Sequence, residues 1–251
     1  MAQRIFRIWQ RNSRVWRKHF FSTLIGNLGE PFLFLLALGY GLGREIPSVS
    51  GLSYLQFIAP GLVASAVMYS SAFETTYGSY TRLSNQGTYE AILMTPVSVE
   101  ELALGEIIWG ASKGMISGVV MLAALPLFDV IPSPWTIGLL LVLFIEGIFF
   151  AALGLMMTAL ATTYEFFNYF ISLLLTPLFL FSGIFFPLDT MAPATKTALR
   201  FLPLTPVVDL SRMLCYGKTE DVWLPYSAYL TVIAAASAWA ATKLLRRRLI
   251  Q

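Results

Sequence analysis

The sequence is short of charge and of residues that build reactive sites. Charged residues occupy 12% of its 251 positions, whereas hydrophobic residues occupy 57%. A soluble domain of this size normally carries about twice that charged fraction. The single cysteine, Cys215, excludes an internal disulfide, and the single histidine, His19, has no second metal ligand nearby. The composition therefore predicts a membrane protein without a disulfide framework or a metal site.

The same scarcity argues against a membrane enzyme. Intramembrane catalysis needs a cluster such as Ser/His, His/Glu metal ligands or paired aspartates, and no aspartate falls inside an apolar run. The tripeptide Gly217-Lys218-Thr219 looks like the end of a phosphate-binding loop, but Arg212 stands where that loop needs its first glycine. We therefore expect no catalytic residue and no cofactor in this chain.

Long apolar runs set the architecture. Six of them approach the ~20 residues that a helix needs to cross a bilayer, at roughly 22–42, 55–80, 104–128, 135–161, 166–186 and 222–242. Backbone groups find no water in lipid, so such runs should be helices. The prediction is an all-α membrane protein with six transmembrane helices, in one domain over 22–251 that follows a distinct segment at 1–21.

Lysine and arginine are concentrated at the two ends of the chain. Six lie between Arg4 and Lys18 and four between Lys243 and Arg248. An even number of spans puts both ends on one side, and the excess of positive charge predicts that this side is cytoplasmic.

The N-terminal segment has the pattern of an amphipathic interfacial helix. Its basic residues fall on one arc of a helical projection, opposite an arc that carries Trp9 and Trp16. The alternative is a solvated basic tail. The predicted membrane-interface residues are Arg4, Arg7, Trp9, Arg11, Arg14 and Trp16.

The segment between the second and third spans predicts a short separate helix at about 87–95. Gly87 can turn the chain, and Pro96 should stop the helix because the residue before a proline avoids the α region. Ser98 and Glu101 have capping-box spacing, which starts the next long helix. The short helix either folds back on the membrane surface or docks on a soluble partner.

The run from Gly87 to Ser98, GTYEAILMTPVS, resembles the coupling-helix region of ABC-2 type transporter permeases. Two other stretches agree: FSGIFFPLD at 181–189 resembles the end of that family's fifth span, and LPLTPVVDLSR at 202–212 resembles its outer re-entrant region. The resemblance covers essentially the whole chain. It is nearest to the branch that exports lipo-oligosaccharides of the nodulation-factor type and hydrophobic drugs, with polysaccharide permeases as relatives.

The resemblance implies a permease subunit of an ATP-binding-cassette exporter in the bacterial cytoplasmic (inner) membrane, multi-pass, with both termini cytoplasmic. It would move an amphiphilic substrate outward, namely a lipo-oligosaccharide, glycolipid or polysaccharide. ATP and Mg would be bound by a separate cytoplasmic ATPase in two copies, beside a second copy of the permease and membrane lipid, with no nucleic-acid partner. Two alternatives stay open: an efflux permease for hydrophobic drugs or antibiotics, and an ion-coupled secondary transporter.

The resemblance also implies functional positions. The ATPase-coupling residues would be Gly87, Thr88, Tyr89, Glu90, Leu93 and Pro96. We hypothesise that Tyr89 and Glu90 make polar bonds to the ATPase while Leu93 packs into its groove. The outer re-entrant region, about 187–221, would include Pro187, Pro203, Pro206, Asp209 and Arg212. Asp209 and Arg212 have the i,i+3 spacing of a pair.

Possible pathway residues are Glu74, Glu146, Phe179 and Phe185. A carboxylate near the middle of a span, such as Glu146, is costly unless it is paired, protonated or facing a polar cavity. It could line a substrate or dimer-interface path, or be a protonated carboxyl bonded to a neighbouring helix. Glu74 could receive an amphiphile's head group or mark the wet end of a helix. The aromatic residues suit acyl chains and sugars, or simple packing.

Overall fold

The residues that the computed structural model describes, which are 1–46, 48–49, 51–217 and 222–250, are mostly helical and contain no β-strand. Lys218 and Thr219 of the loop-like tripeptide lie outside these ranges. The α-helices are α1 (Ala2–Arg17), α2 (Phe20–Leu36), α3 (Tyr54–Phe73), α4 (Thr88–Leu93), α5 (Val99–Ala124), α6 (Thr136–Leu160), α7 (Phe166–Phe170), α8 (Thr176–Phe181), α9 (Pro193–Arg200), α10 (Leu204–Tyr216) and α11 (Trp223–Leu249). Segments of π-helix continue several of them: Ala37–Gly41, Glu74–Gly78, Thr81–Asn85 and Ile171–Leu175.

Among the described residues, four helices are long and apolar enough to cross a membrane. They are Tyr54–Asn85, Val99–Phe128, Thr136–Leu160 and Trp223–Leu249. These coincide with the second, third, fourth and sixth predicted spans. The first predicted span overlaps α2, and the fifth contains a shorter apolar helix, Phe166–Phe181. Membrane crossing by those two segments stays a prediction.

Small residues bring α3 into close contact with α5 and α6. On α5, glycine recurs at every fourth position, at Gly110, Gly114 and Gly118. A Cβ atom at Gly114 would lie 2.9 Å from the carbonyl oxygen of Val67 on α3. On α6, a Cβ at Gly154 would lie 2.8 Å from the carbonyl oxygen of Ala72. This packing of small residues is typical of helices that associate inside a membrane.

Both termini lie at one end of the bundle, which we call the α4 end. The Arg4 guanidinium lies 3.4 Å from Glu101 in the first turn of α5, and the Arg246 guanidinium lies 3.0 Å from Glu100. At the opposite end, the Tyr216 hydroxyl of α10 donates to the carbonyl oxygen of Gln56, 2.7 Å away. The first helix, the last helix and α4 therefore lie at the same end of the bundle, around the first turns of α5.

The described part of the predicted outer region contains two short α-helices, α9 and α10, after a 3-10 helix at Leu188–Thr190, at the end opposite to α4. Pro193 begins α9 and Pro203 immediately precedes α10, at the start of a helix where the missing N–H of proline costs no hydrogen bond. Arg212 fastens α10 to the bundle: its Nε donates to the carbonyl oxygen of Phe57 at 3.0 Å, and its Nη2 donates to that of Ile184 at 3.1 Å. The predicted pair with Asp209 is present at 3.8 Å. A re-entrant course through the outer leaflet stays a prediction.

The predicted capping box at the start of α5 is confirmed. The Ser98 Oγ accepts from the Glu101 backbone N–H at 3.2 Å, and a Glu101 carboxylate oxygen accepts from the Ser98 N–H at 3.0 Å. We expect Ser98→Ala to lower the free energy of unfolding by about 1 kcal/mol, because one helical N–H loses its acceptor. Thermal unfolding in detergent measures this. Ser84→Ala, at an exposed position, is the control, and equal melting of the two variants would contradict the assignment.

Candidate functional site

A one-residue turn sets α4 apart from the long helices on either side. Gly87 has φ +60°, in the left-handed region that glycine adopts without the steric cost of a Cβ atom. It separates the π-helical end of the helix Tyr54–Asn85, which we call the α3 span, from Thr88, the first residue of α4. Pro96 lies exposed beyond the end of α4. The structure thus contains the short separate helix that the sequence predicted at about 87–95.

The face that α4 presents differs from the hypothesis. Tyr89 is fully buried in one cluster with Val99 and Leu102 of α5, and Leu93 packs against that cluster. The hydroxyl of Tyr89 therefore does not reach a partner in this conformation, and its burial raises the pKa of Tyr89. The exposed side chains of this segment include Glu90 and Met94, the latter 89% exposed. Tyr89 and Leu93 anchor α4, and its outward face is a different one.

A groove of about 450 Å³ lies between α1 and α4, and we call it the α1–α4 groove. Arg4, Arg7 and Arg11 line it from α1, and Ala91 and Ile92 line it from α4. The Arg11 Nη2 also donates to the Thr88 Oγ1 at 3.3 Å. The groove thus joins two sets of residues that the sequence treated separately, the basic arc of α1 and the predicted coupling segment.

The apolar arc of α1 packs on α5. Ile8 is buried against Gly105, where an added Cβ would lie 2.8 Å from the Ile8 Cβ. The Trp9 Nε1 donates to the Ser112 Oγ at 3.1 Å, and the Trp16 ring lies 6.0 Å from the ring of Trp109. Arg14, in contrast, is exposed. At least part of this arc is therefore packed against protein. The location of α1 in the membrane interface stays a prediction.

A network of buried charges lies beneath α1, and we call it the charge network. Its first centre is Glu74, at the end of α3. Its carboxylate accepts from Arg82 at 2.9 Å, from Lys113 at 2.6 Å and from the Trp109 indole N–H at 2.8 Å. Glu74 was predicted as a pathway residue. The structure places it in ion pairs with two cations, and a role in the pathway stays a prediction.

The second centre of the charge network is Glu106 on α5, whose side chain is fully buried. Its carboxylate accepts from the Arg82 Nη2 at 2.7 Å and from the Ser79 Oγ at 3.0 Å. It also accepts from the Asn12 Nδ2 of α1 at 2.9 Å. Arg82 therefore bridges two carboxylates, and the network joins α1, α5 and the end of the α3 span.

Sequence reasoning missed this network, although a signal for it was present. The spans that contain α3 and α5 each carry an acid and a base about two turns apart, Glu74 with Arg82 and Glu106 with Lys113. Residues seven or eight apart lie on similar faces of a helix, so the four could have been predicted to meet.

The remaining predicted pathway residues lie inside the subunit. Glu146 is 1% exposed, and within the described chain neither of its carboxylate oxygens has a hydrogen-bond partner. Its burial keeps it from a surface that a second copy could reach in this conformation. The rings of Phe179 and Phe185 pack edge to face with centroids 5.0 Å apart, and Phe34 packs against both. This arrangement agrees with the packing alternative, and a pathway role for any of these residues stays a prediction.

Comparison with known proteins identifies the family. A family model described as ABC-2 type transporter matches residues 3–216. Nodulation protein J of Rhizobium leguminosarum bv. trifolii is 36% identical over 247 residues, which are 97% of this chain and 93% of that protein. Nodulation protein J of Rhizobium meliloti (strain 1021) has the same identity and coverage. Inner membrane transport permease YadH of Escherichia coli (strain K12) is 25% identical over 186 residues, 74% of this chain and 72% of that protein. Because the match runs from α1 to the end of α10, this membrane protein belongs to the ABC-2 type transporter family, which consists of transporter permease subunits and not of enzymes.

Proposed function

We propose that the protein is the permease subunit of an ABC exporter driven by a separate ATPase. The observation that carries the proposal is α4, a short helix with an exposed Glu90 and Met94, held beside the basic α1–α4 groove. In the proposed assembly the α4 end faces the cytoplasm of a bacterial cell, and two ATPase copies act on two copies of the permease. ATP and Mg belong to the ATPase.

The attachment of α4 suits it to transmit movement. Tyr89 and Leu93 fix α4 to the first turns of α5, so that a displacement of α4 carries α5 with it. Arg11 connects α4 to α1 through Thr88. Closure of the ATPase pair needs only to favour one of two arrangements of these helices for transport to follow.

The proposed substrate is an amphiphile of the lipo-oligosaccharide, glycolipid or polysaccharide class, moved outward across the inner membrane. Identity of 36% to proteins named Nodulation protein J over almost the whole chain supports this branch of the family over the drug-efflux branch. The proposal names a chemical class, and lipid and glycolipid analysis of the cell envelope with and without this chain would identify the molecule.

We expect Glu90→Lys to uncouple ATP hydrolysis from export. Glu90 is exposed in the first turn of α4, so reversing its charge changes the contact surface without disturbing the core. A side chain that matters at an interface contributes more than about 1 kcal/mol to binding, which corresponds to a loss of about fivefold or more in affinity for the ATPase. At a limiting concentration of the ATPase, we expect a similar loss in stimulated turnover. The measurement is ATPase activity of the purified complex, together with the amount of exported glycolipid.

Glu165→Lys is the matched control, since Glu165 is also exposed and lies near the α4 end, just before α7. It should leave ATPase stimulation and export close to those of the unmodified complex. If Glu90→Lys retains both activities, α4 is not the coupling surface. Transport driven by an ion gradient, by this chain alone, would overturn the proposed function altogether.

A further inference from the structure

A second cavity of about 450 Å³ lies on the other side of Arg11, between α1 and the α3–α5 pair. Its charged lining consists of three cations, Arg11, Arg82 and Lys113, and one carboxylate, that of Glu74. Its walls also include the apolar surfaces of Val15, Trp16 and Trp109. Its volume falls within the range of small-molecule pockets. The cavity thus combines positive charge with an apolar wall.

The positive charges here exceed the negative ones by one. Arg82 and Lys113 are matched by the two carboxylates of the charge network, Glu74 and Glu106. Arg11 donates at 2.9 Å to the Asn12 Oδ1 and at 3.3 Å to a threonine hydroxyl, and both of these acceptors are neutral. Among the described residues, no carboxylate lies within ion-pair distance of Arg11.

The position of Arg11 makes this excess charge unfavourable. Burial lowers the pKa of Arg11, and the attraction of the nearby Glu106 offsets this only in part. Arg11 is half-buried, and a cation that has lost part of its hydration is stabilised when a counter-ion or strong acceptors replace the lost water. Two further donors on residues of this cavity, the Trp16 Nε1 and the Arg82 Nε, have no hydrogen-bond acceptor in the described part of the chain.

We propose that this cavity binds the negatively charged head group of an amphiphile, with Arg11 as its counter-ion. A phosphate ester matches the chemistry, because guanidinium groups bind phosphate oxygens through short, charge-assisted hydrogen bonds. The alkyl part would lie along Val15 and Trp16, of which Val15 is 54% exposed. The proposal goes beyond the export function, since it assigns a ligand to a site that neither α4 nor the ATPase requires. A phospholipid and free phosphate are the two possible sources of the anion.

The test uses the full-length permease purified without its ATPase in a neutral detergent. Phosphatidylglycerol, phosphatidylcholine with the same acyl chains, and inorganic phosphate are added separately, and bound lipid is counted by native mass spectrometry. We expect preferential retention of phosphatidylglycerol. Arg11→Gln should weaken this binding about tenfold, since a charged hydrogen bond is lost. Arg11→Lys should keep the preference because it keeps the charge.

Arg17→Gln is the matched control, because Arg17 is exposed in the last turn of α1 and does not line the cavity. Displacement of the lipid by millimolar phosphate would support the site with free phosphate as a sufficient ligand. Retention despite phosphate would support it with the amphiphile as the ligand. Equal binding of the two lipids, or equal losses in Arg11→Gln and Arg17→Gln, would overturn the proposal. Because the ATPase is absent, a failure of α4 coupling cannot produce either result.

Discussion

Replacing Arg82 by methionine is expected to lower the free energy of unfolding by about 3–5 kcal/mol, because it leaves two buried carboxylates without their shared cation. The side chain of Arg82 is 13% exposed, and its Nη1 and Nη2 lie 2.9 Å from Glu74 and 2.7 Å from Glu106. Lys113 would still neutralise Glu74. Glu106, which is fully buried, would keep only the neutral donors Asn12 and Ser79.

Thermal unfolding of the purified protein in detergent measures this effect. Arg247→Met is the control, since Arg247 is exposed in the last turn of α11 and should melt close to the unmodified protein. A second substitution makes the test specific: Glu106→Gln removes the charge that Arg82 compensated, so the double variant should recover part of the loss. If Arg82→Met melts like Arg247→Met, the charge network does not stabilise the fold.

The charge network also connects the α3 span to α5 near the α4 end. Arg82 lies in the π-helical segment Thr81–Asn85, and Glu74 begins the π-helical segment Glu74–Gly78. Segments of π-helix occur frequently at functional sites. Here they place an irregular part of the α3 span against α5, where ion pairs hold it. In the proposed mechanism, a displacement of α4 would therefore be transmitted through these ion pairs to both the α3 span and α5.

Local signals in the sequence were sufficient to predict several elements of the fold. Four predicted spans agree with the helices Tyr54–Asn85, Val99–Phe128, Thr136–Leu160 and Trp223–Leu249 to within seven residues at each end. The start of α5 was predictable because a capping box needs only residues three apart in sequence. The existence of α4 followed from Gly87 and Pro96 for the same reason.

The candidate site was harder to predict because it depends on contacts between distant residues. Asn12 and Glu106 are 94 positions apart, and Glu74 and Trp109 are 35 apart. The burial of Tyr89 depends on the shape of the α5 surface, which no pattern inside α4 reveals. An apolar or aromatic residue on a short helix can face a partner or the protein's own core, and sequence alone does not separate the two.

Gly114 belongs to a series of glycines four residues apart, a sequence pattern that predicts close helix packing. We expect its substitution to have the second large effect on stability. Gly114→Leu should lower the free energy of unfolding by about 3 kcal/mol, because its side chain must enter space that α3 already fills. A Cβ atom alone would lie 1.9 Å from the Ser71 Oγ and 2.9 Å from the Val67 carbonyl oxygen. Gly26→Leu is the control, since nothing lies within 4 Å of a Cβ there.

A smaller substitution at the same position distinguishes close helix packing from a general effect of replacing glycine. Gly114→Ala should be less severe than Gly114→Leu, since the Ser71 hydroxyl can rotate away but the Val67 carbonyl cannot. The Ser71 Oγ has no hydrogen-bond partner in the described part of the chain, so Ser71→Ala alone should cost little. Combined with Gly114→Ala, it should restore part of the thermal stability in detergent. If Gly114→Leu melts like Gly26→Leu, or if Ser71→Ala gives no recovery, then α3 and α5 are not held together by contact at these small residues.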